Sequence, residues 1–170
     1  MAGRQAGCIG LLTVRGAGCL VRGVVAYDEN VVRLAAACEL PVVGTIADPQ
    51  VRAWLRGADL LVCVHGRERV PNELLALPRL GGINVHPCLS AYPGARPIER
   101  FLADGGSRAS VGVHRMTDQL DAGPVILEEF VEVAGLRTLE AVYHALYPWY
   151  AVTLTRALQL VNRDACAVPR

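Results

Sequence analysis

The chain has 170 residues, of which 52% are hydrophobic and 19% are charged, a composition that excludes a disordered protein. Its formal net charge is +1 and it has no long block of Lys or Arg, so a nucleic-acid partner is not expected. The length suits one hydrophobic core, and we predict a single domain over residues 1–170.

Short apolar runs predict strands along the first half of the chain. Most runs are continuous rather than alternating, which is typical of strands covered on both faces. They cover 8–14, 21–27, 41–46, 58–65 and 81–86. Asp28 and Asp48 are placed to cap helices over 28–40 and 48–58, and a shorter helix or turn covers 71–80. This alternation of strands and helices predicts a parallel sheet with right-handed crossovers.

The second half of the chain has a different pattern. A helix over 95–106 precedes two strand-like segments, 107–118 and 123–133, which an enlarged loop joins as an antiparallel hairpin. The tail 138–163 is helical and interrupted at Pro148, which predicts a kink or two helices. The fold class is therefore predicted as α/β: a three-layer Rossmann-like open sheet, mostly parallel, with a late antiparallel hairpin and a C-terminal helix.

Neither the cysteines nor the apolar runs indicate an export or membrane protein. The six cysteines include no CxxC pair and no metal-like spacing, so we predict reduced, buried thiols, no metal site and a cytoplasmic location. No apolar stretch approaches the roughly 18 residues of a membrane span. We expect a soluble protein without a membrane partner.

A polar pair, Asn84 and His86, ends the strand predicted over 81–86. Residues two apart in a strand face the same side, and ligands of parallel sheets gather at the carboxyl ends of strands. An amide and an imidazole there could stabilise the negative charge that develops on oxygen during acyl-type transfer. Asp121 could tune the imidazole or move a proton, but the residues alone leave open a structural histidine and a simple turn aspartate.

Two segments resemble the formyltransferase family that uses 10-formyltetrahydrofolate. Its first motif, N-x-H-P-S-L-L-P-x-[FY]-x-G, is matched by Asn84, His86, Pro87, Leu89, Tyr92 and Gly94. Its second motif, V-H-x-[VM]-x-x-x-x-D-x-G-x-I, is matched by Val113, His114, Met116, Asp121, Gly123 and Ile126. The resemblance extends more loosely from about Val24 to Pro148.

The resemblance implies a catalytic trio and a cofactor site. Asn84 and His86 would polarise the formyl carbonyl and stabilise the tetrahedral intermediate, while Asp121 would keep the imidazole charged and help proton transfer. The pterin of 10-formyltetrahydrofolate would lie between the loops 64–71 and 116–123. The cofactor-binding residues implied on these loops are Glu68, Arg69, Val70, Leu120 and Asp121.

The chain also departs from the family pattern. The segment 13–23 leads directly into the next predicted strand, so the domain is expected to have a shortened N-terminal region without the usual first helix and its anion site. Tyr143 stands where glycinamide ribonucleotide enzymes carry a glutamate. Methionyl-tRNA enzymes add a C-terminal nucleic-acid-binding domain, which is not expected here. Cys88 and Ala91 replace the motif's usual Ser and Pro.

The function implied is formyl transfer to a primary amine of a small-molecule acceptor, such as glycinamide ribonucleotide, an amino sugar or a modified amino acid. A 10-formyltetrahydrofolate hydrolase and a noncatalytic folate-binding protein remain alternatives, because the trio would suit either enzyme. A dinucleotide-binding oxidoreductase is disfavoured, since 15–20 contains only G-x-G. The apolar tail over 146–161 suggests a possible homodimer.

Overall fold

A computed structural model shows an α/β fold, and the structure describes residues 1–167. The strands are Val24–Val25 (β1), Val42–Val43 (β2), Leu61–Val64 (β3), Gly82–Pro87 (β4), Arg108–Arg115 (β5) and Val125–Glu132 (β6). The helices are Arg4–Gly16 (α1), Glu29–Ala37 (α2), Pro49–Arg56 (α3), Asn72–Leu75 (α4), Pro97–Ala103 (α5) and Leu139–Ala167 (α6).

The strands form two sheets that one residue bridges. β1 and β2 pair in parallel, while the second sheet has the order β3-β4-β5-β6, with β3 and β4 parallel and the other pairs antiparallel. Ala2 makes parallel bridges to Ala26 and to Val64 and so joins the two sheets. The predicted α/β class, the late antiparallel hairpin and the C-terminal helix are confirmed.

The strand predicted over 8–14 is wrong, because this run lies inside α1. A short apolar run does not distinguish a strand from a buried helix. The buried positions of α1 are Ala6, Gly7, Gly10 and Leu11, which follow helical spacing. Gly10 allows the helix to approach β3, since an added Cβ would lie 2.6 Å from a Val64 methyl carbon.

The expectation that no first helix fits is therefore also wrong. α1 is present, and its first amide, the Arg4 N–H, donates to the Asp28 carboxylate, which also caps α2 through the Val31 N–H. The place at which an external anion would approach this helix start is occupied by a carboxylate of the chain itself.

α6 is one continuous helix with Pro148 inside it. The prediction that the tail forms two separate helices is therefore wrong. Its apolar face packs on the sheet of β3–β6, where Leu146, Tyr150 and Leu154 are at most 1% exposed. The apolar residues that suggested a homodimer therefore mostly cover the chain's own core. Within residues 1–167, no helix has both the length and the apolarity needed to cross a membrane.

The expectation of buried thiols holds for only part of the cysteine set. Cys63 and Cys88 are buried, whereas Cys19 and Cys166 are exposed. All six are free thiols rather than disulfides in the structure.

Gly112 on β5 is expected to be intolerant of a side chain, because a Cβ there would lie 2.6 Å from the Leu89 Cβ. Gly112 pairs with His86 on β4, so the overpacking would fall directly beside the polar pair. We expect Gly112→Ala to lower the free energy of unfolding by about 1–3 kcal/mol in a urea titration. Gly44→Ala is the control, since a Cβ at that position meets no described atom within 4 Å. Equal stability of the two variants would contradict this packing.

Candidate active site

Polar side chains gather in a cavity of about 940 Å³ at the carboxyl ends of β3 and β4. Its walls come from the loop after β3, the end of β4, the start of α5, the loop between β5 and β6, and α6. The sequence places Asn84 and His86 on β4, two residues apart, so they enter the cavity from one strand. The position agrees with the predicted strand end.

The structure brings the predicted trio together through Asp121. Its Oδ2 lies 3.2 Å from His86 Nε2 and accepts from the Gly94 N–H at 2.9 Å. Its Oδ1 accepts from Asn84 Nδ2 at 3.2 Å and lies 3.3 Å from His114 Nε2. A carboxylate has about four lone-pair sites, so the four groups fill it.

These contacts keep Asp121 ionised. Burial alone would favour the neutral acid, but the hydrogen bonds from His114 and His86, the charge of His86 and the Gly94 amide outweigh it. Together they hold the pKa of Asp121 well below its ordinary value of 3.8. The arrangement favours a fixed negative charge that orients its neighbours.

The loop that carries Asp121 is closed tightly by Gly123. A Cβ at Gly123 would lie 1.8 Å from the Arg115 backbone oxygen, so only glycine fits. Asp121 itself adopts a left-handed backbone conformation with φ near 52°, which aspartate tolerates better than most residues. The sequence D-A-G therefore fixes where the carboxylate points.

The two ring nitrogens of His86 have different surroundings. Its Nε2 contacts Asp121 and lies 3.1 Å from the Gly94 backbone oxygen, so both acceptors face the same nitrogen. Its Nδ1 is buried and has no hydrogen-bond partner among the described residues. Buried polar atoms without partners are uncommon and mark a point at which a ligand can bond.

His65 follows β3 and also lines the cavity, but it is tied to the core. Its Nε2 lies 2.7 Å from the Tyr150 hydroxyl oxygen. Burial lowers the pKa of His65 to about 4, and the charges of Arg4 and His86 act in the same direction. His65 is thus neutral near pH 7 and joins the cavity wall to α6.

The residues predicted to bind the cofactor lie on two facing loops, but their side chains differ in role. The Glu68 carboxylate accepts from the Thr45 hydroxyl at 2.7 Å and from the Ile46 N–H at 2.9 Å, so it points toward the loop after β2. The Val70 side chain is buried in the core. Arg69 donates to the Asp118 backbone oxygen and thereby joins the two loops. Leu120 is 71% exposed on the cavity rim.

Arg69→Ala is expected to weaken the pairing of the two loops. Loss of one net hydrogen bond is worth about 1 kcal/mol, or about a fivefold rise in KM for a ligand held between them. The kcat should stay within about twofold, because the changed contact does not touch the trio. Steady-state kinetics with 10-formyltetrahydrofolate, the formyl donor that the resemblance implies, would measure this. Arg33→Ala, which removes an exposed arginine paired with Glu29 on α2, is the control; matching KM values would refute the coupling.

Sequence reasoning missed two residues of the site. His114 is not among the predicted site residues, yet it lies opposite Asn84 in the β4–β5 pairing and contacts Asp121. The signal was present, because His114 stands inside the second motif. Tyr143 on α6 also lines the cavity, where burial and the charge of Glu99 raise its pKa to about 12. Within residues 1–167, no cluster of three His, Cys, Asp or Glu side chains could hold a metal ion.

The chain is similar in sequence to methionyl-tRNA formyltransferases. The chain is 34% identical over 147 residues to a methionyl-tRNA formyltransferase of Methylobacterium nodulans, covering 84% of this chain and 47% of the relative. It is 36% identical over 83 residues to the enzyme of that name from Thermotoga maritima, covering 48% of this chain and 26% of the relative. The chain thus spans less than half the length of these curated relatives.

Solved structures share the fold. A phosphoribosylglycinamide formyltransferase from Anaplasma phagocytophilum superposes with a TM-score of 0.82 at 20% identity, covering 96% of this chain and 84% of that one. A formyltetrahydrofolate deformylase from Burkholderia mallei has a TM-score of 0.73 at 25% identity, covering 96% and 64% of the two chains. The sequence model of the formyl transferase family matches residues 47–157, which contain Asn84, His86 and Asp121. The chain belongs to the formyl transferase family.

Proposed function

We propose that the chain transfers the formyl group of 10-formyltetrahydrofolate to a primary amine of a small-molecule acceptor. The observation that carries the proposal is the buried Nδ1 of His86, which has no partner among residues 1–167 and belongs to a ring that lines the cavity and is fixed by contacts of Nε2 with Asp121 and Gly94. Asn84, two residues before His86 on β4, donates to the same carboxylate. Such prearranged donors stabilise an oxyanion without reorganising during the reaction.

The reaction can be written with these groups. The neutral amine attacks the formyl carbon, a carbon–nitrogen bond forms, and the carbonyl electron pair moves to oxygen. A doubly protonated His86 would donate from Nδ1 to that oxygen while Nε2 donates to Asp121, and Asn84 would donate from its amide. The bond to N10 of the folate then breaks, and the proton lost by the amine ends on N10. Because all four acceptor positions of Asp121 are filled, it acts as a fixed charge, and water carries the proton.

The pterin is proposed to lie between the loops 64–71 and 116–123. Glu68, Arg69, Val70, Leu120 and Asp121 are proposed to form this site, with backbone groups supplying most polar contacts. The cavity volume of about 940 Å³ suits a cofactor-sized ligand beside an acceptor.

Hydrolysis of 10-formyltetrahydrofolate is the second candidate, because the structural neighbour from Burkholderia mallei is named as a formyltetrahydrofolate deformylase. The same oxyanion donors would serve attack by water. Formate release at a constant rate with and without amines would identify the hydrolase. Formyl-amine production with little formate would identify the transferase.

A binding and turnover experiment tests both steps. At 100 times its Kd, 5-formyltetrahydrofolate should stabilise the folded chain by about 2.7 kcal/mol in a thermal-shift measurement. Candidate amines are then added to 10-formyltetrahydrofolate: glycinamide ribonucleotide, amino sugars and modified amino acids. Methionyl-tRNA is included because curated relatives carry that name, and turnover of it alone would overturn the small-molecule acceptor. Folate stabilisation without any turnover would indicate the noncatalytic folate-binding alternative, and no stabilisation would overturn the proposal.

A further inference from the structure

Three atoms of the site form a nearly equilateral triangle. Asn84 Nδ2 lies 3.2 Å from His114 Nε2 and 3.2 Å from Asp121 Oδ1, and the last two atoms lie 3.3 Å apart. The angle at Nδ2 between its two neighbours is therefore about 60°, whereas the two hydrogens of an amide NH₂ group are about 120° apart. Only one Asn84 hydrogen can align with this pair of atoms.

The other ring nitrogen of His114 has a fixed role. Its Nδ1 lies 2.9 Å from the Arg115 backbone oxygen, and a carbonyl oxygen can only accept. Nδ1 therefore carries a hydrogen. The open question is whether Nε2 carries one too.

A bare Nε2 fits the triangle poorly. Its lone pair would face the Asp121 oxygen at 3.3 Å in a site where His114 is 2% exposed, and one Asn84 hydrogen would have to serve two acceptors. Buried acceptors that lack a donor are costly. A protonated Nε2 removes both defects, because it donates to Asp121 beside the single aligned Asn84 hydrogen.

We propose that His114 is a positioning residue whose doubly protonated ring donates from Nε2 to Asp121 and thereby leaves the second Asn84 amide hydrogen for the formyl oxygen. This inference rests on the proposed formyl transfer. Among the described residues, Asp121 supplies the carboxylate within 4 Å of the His114 ring. Asn84 is the residue on β4 that pairs with His114 on β5. His114 acts through Asn84 and does not touch the substrate.

Two substitutions distinguish the roles of the two ring nitrogens of His114. In His114→Gln the side-chain amide nitrogen reaches the place of Nε2 and can still donate to Asp121. In His114→Asn the amide nitrogen replaces Nδ1 and leaves the Nε2 position empty. We expect His114→Asn to lower kcat about 100-fold, as loss of one oxyanion donor does, with KM for the folate within about threefold. His114→Gln should retain kcat within about tenfold of the parent.

The protonation state can be observed without turnover. Nitrogen-15 NMR of the ring-labelled protein should show both nitrogens of His114 protonated near pH 7. A bare Nε2 would overturn the inference, and so would equal kcat losses in the Gln and Asn variants. If Asn84→Ala leaves turnover unchanged, the proposed function fails instead. Should neither His114 variant fold, the spectrum of the parent chain still decides the protonation state.

Discussion

Replacing Asp121 with asparagine is expected to lower kcat about 1,000-fold, because one side chain orients four donors. The carboxylate receives Asn84 and His114 on one oxygen and His86 and Gly94 on the other. An asparagine must place its NH₂ group against one of these donor pairs, which turns two attractions into repulsions. The proposed donors to the formyl oxygen would lose their alignment.

The same substitution should destabilise the fold. Removing one partner of a buried charged network costs about 3 kcal/mol, and the Asp121 side chain is 6% exposed. The pKa of Asp121 is lowered in the folded state, so the folded state binds fewer protons than the unfolded state at acid pH. Its stabilisation is therefore complete above the unfolded carboxyl value of about 4 and is lost as the pH falls below it.

Urea titrations at several pH values measure this difference. The gap in unfolding free energy between parent and Asp121→Asn should be largest at pH 6–7 and should shrink from about pH 4 toward pH 2. Asp164→Asn, which changes an exposed aspartate on α6 outside the cavity lining, is the control and should keep both kcat and stability. A gap that is constant with pH would show that the carboxylate is not the stabilising group.

Much of the fold could be predicted because its signals are local. Asp28 and Asp48 cap α2 and α3 as expected, since each side chain accepts from an amide within its own first turn. The strand-like segment 107–118 contains β5. The error at 8–14 arose because α1 is recognised by its contacts, such as Gly10 against Val64, and these join residues far apart in the chain.

The site residues also divide into those that local patterns predict and those that only contacts between distant residues reveal. Asn84 and His86 could be paired from sequence because strand geometry fixes residues two apart on one face. Their link to Asp121 needed the resemblance, since a hairpin loop can hold its aspartate in many directions. The place of His114 needed the β4–β5 register, which sets it opposite Asn84. The orientation of the Glu68 side chain could not be predicted from the sequence either, because its partner Thr45 lies 23 positions earlier in the chain.

His86→Gln is expected to remove most activity while preserving the fold. The glutamine amide nitrogen reaches the place of Nε2, so contacts with Asp121 and the Gly94 oxygen can persist. What disappears is Nδ1, the ring atom without a partner among residues 1–167. Loss of one oxyanion donor lowers kcat by about 100- to 1,000-fold, and we expect KM for 10-formyltetrahydrofolate to stay within about threefold.

The matched control is His144→Gln, which changes an exposed histidine on α6 whose ring lies 3.9 Å from Glu140. Its kcat should equal that of the parent, because α6 places this side chain outside the cavity lining. Circular dichroism and thermal unfolding establish that both variants are folded. If His86→Gln turned over within threefold of the parent, the imidazole would be a structural link between β4 and the Asp121 loop, and the oxyanion donor would have to be sought in Asn84 and the backbone. A large fall in kcat confined to His86→Gln would instead place the chemistry at Nδ1.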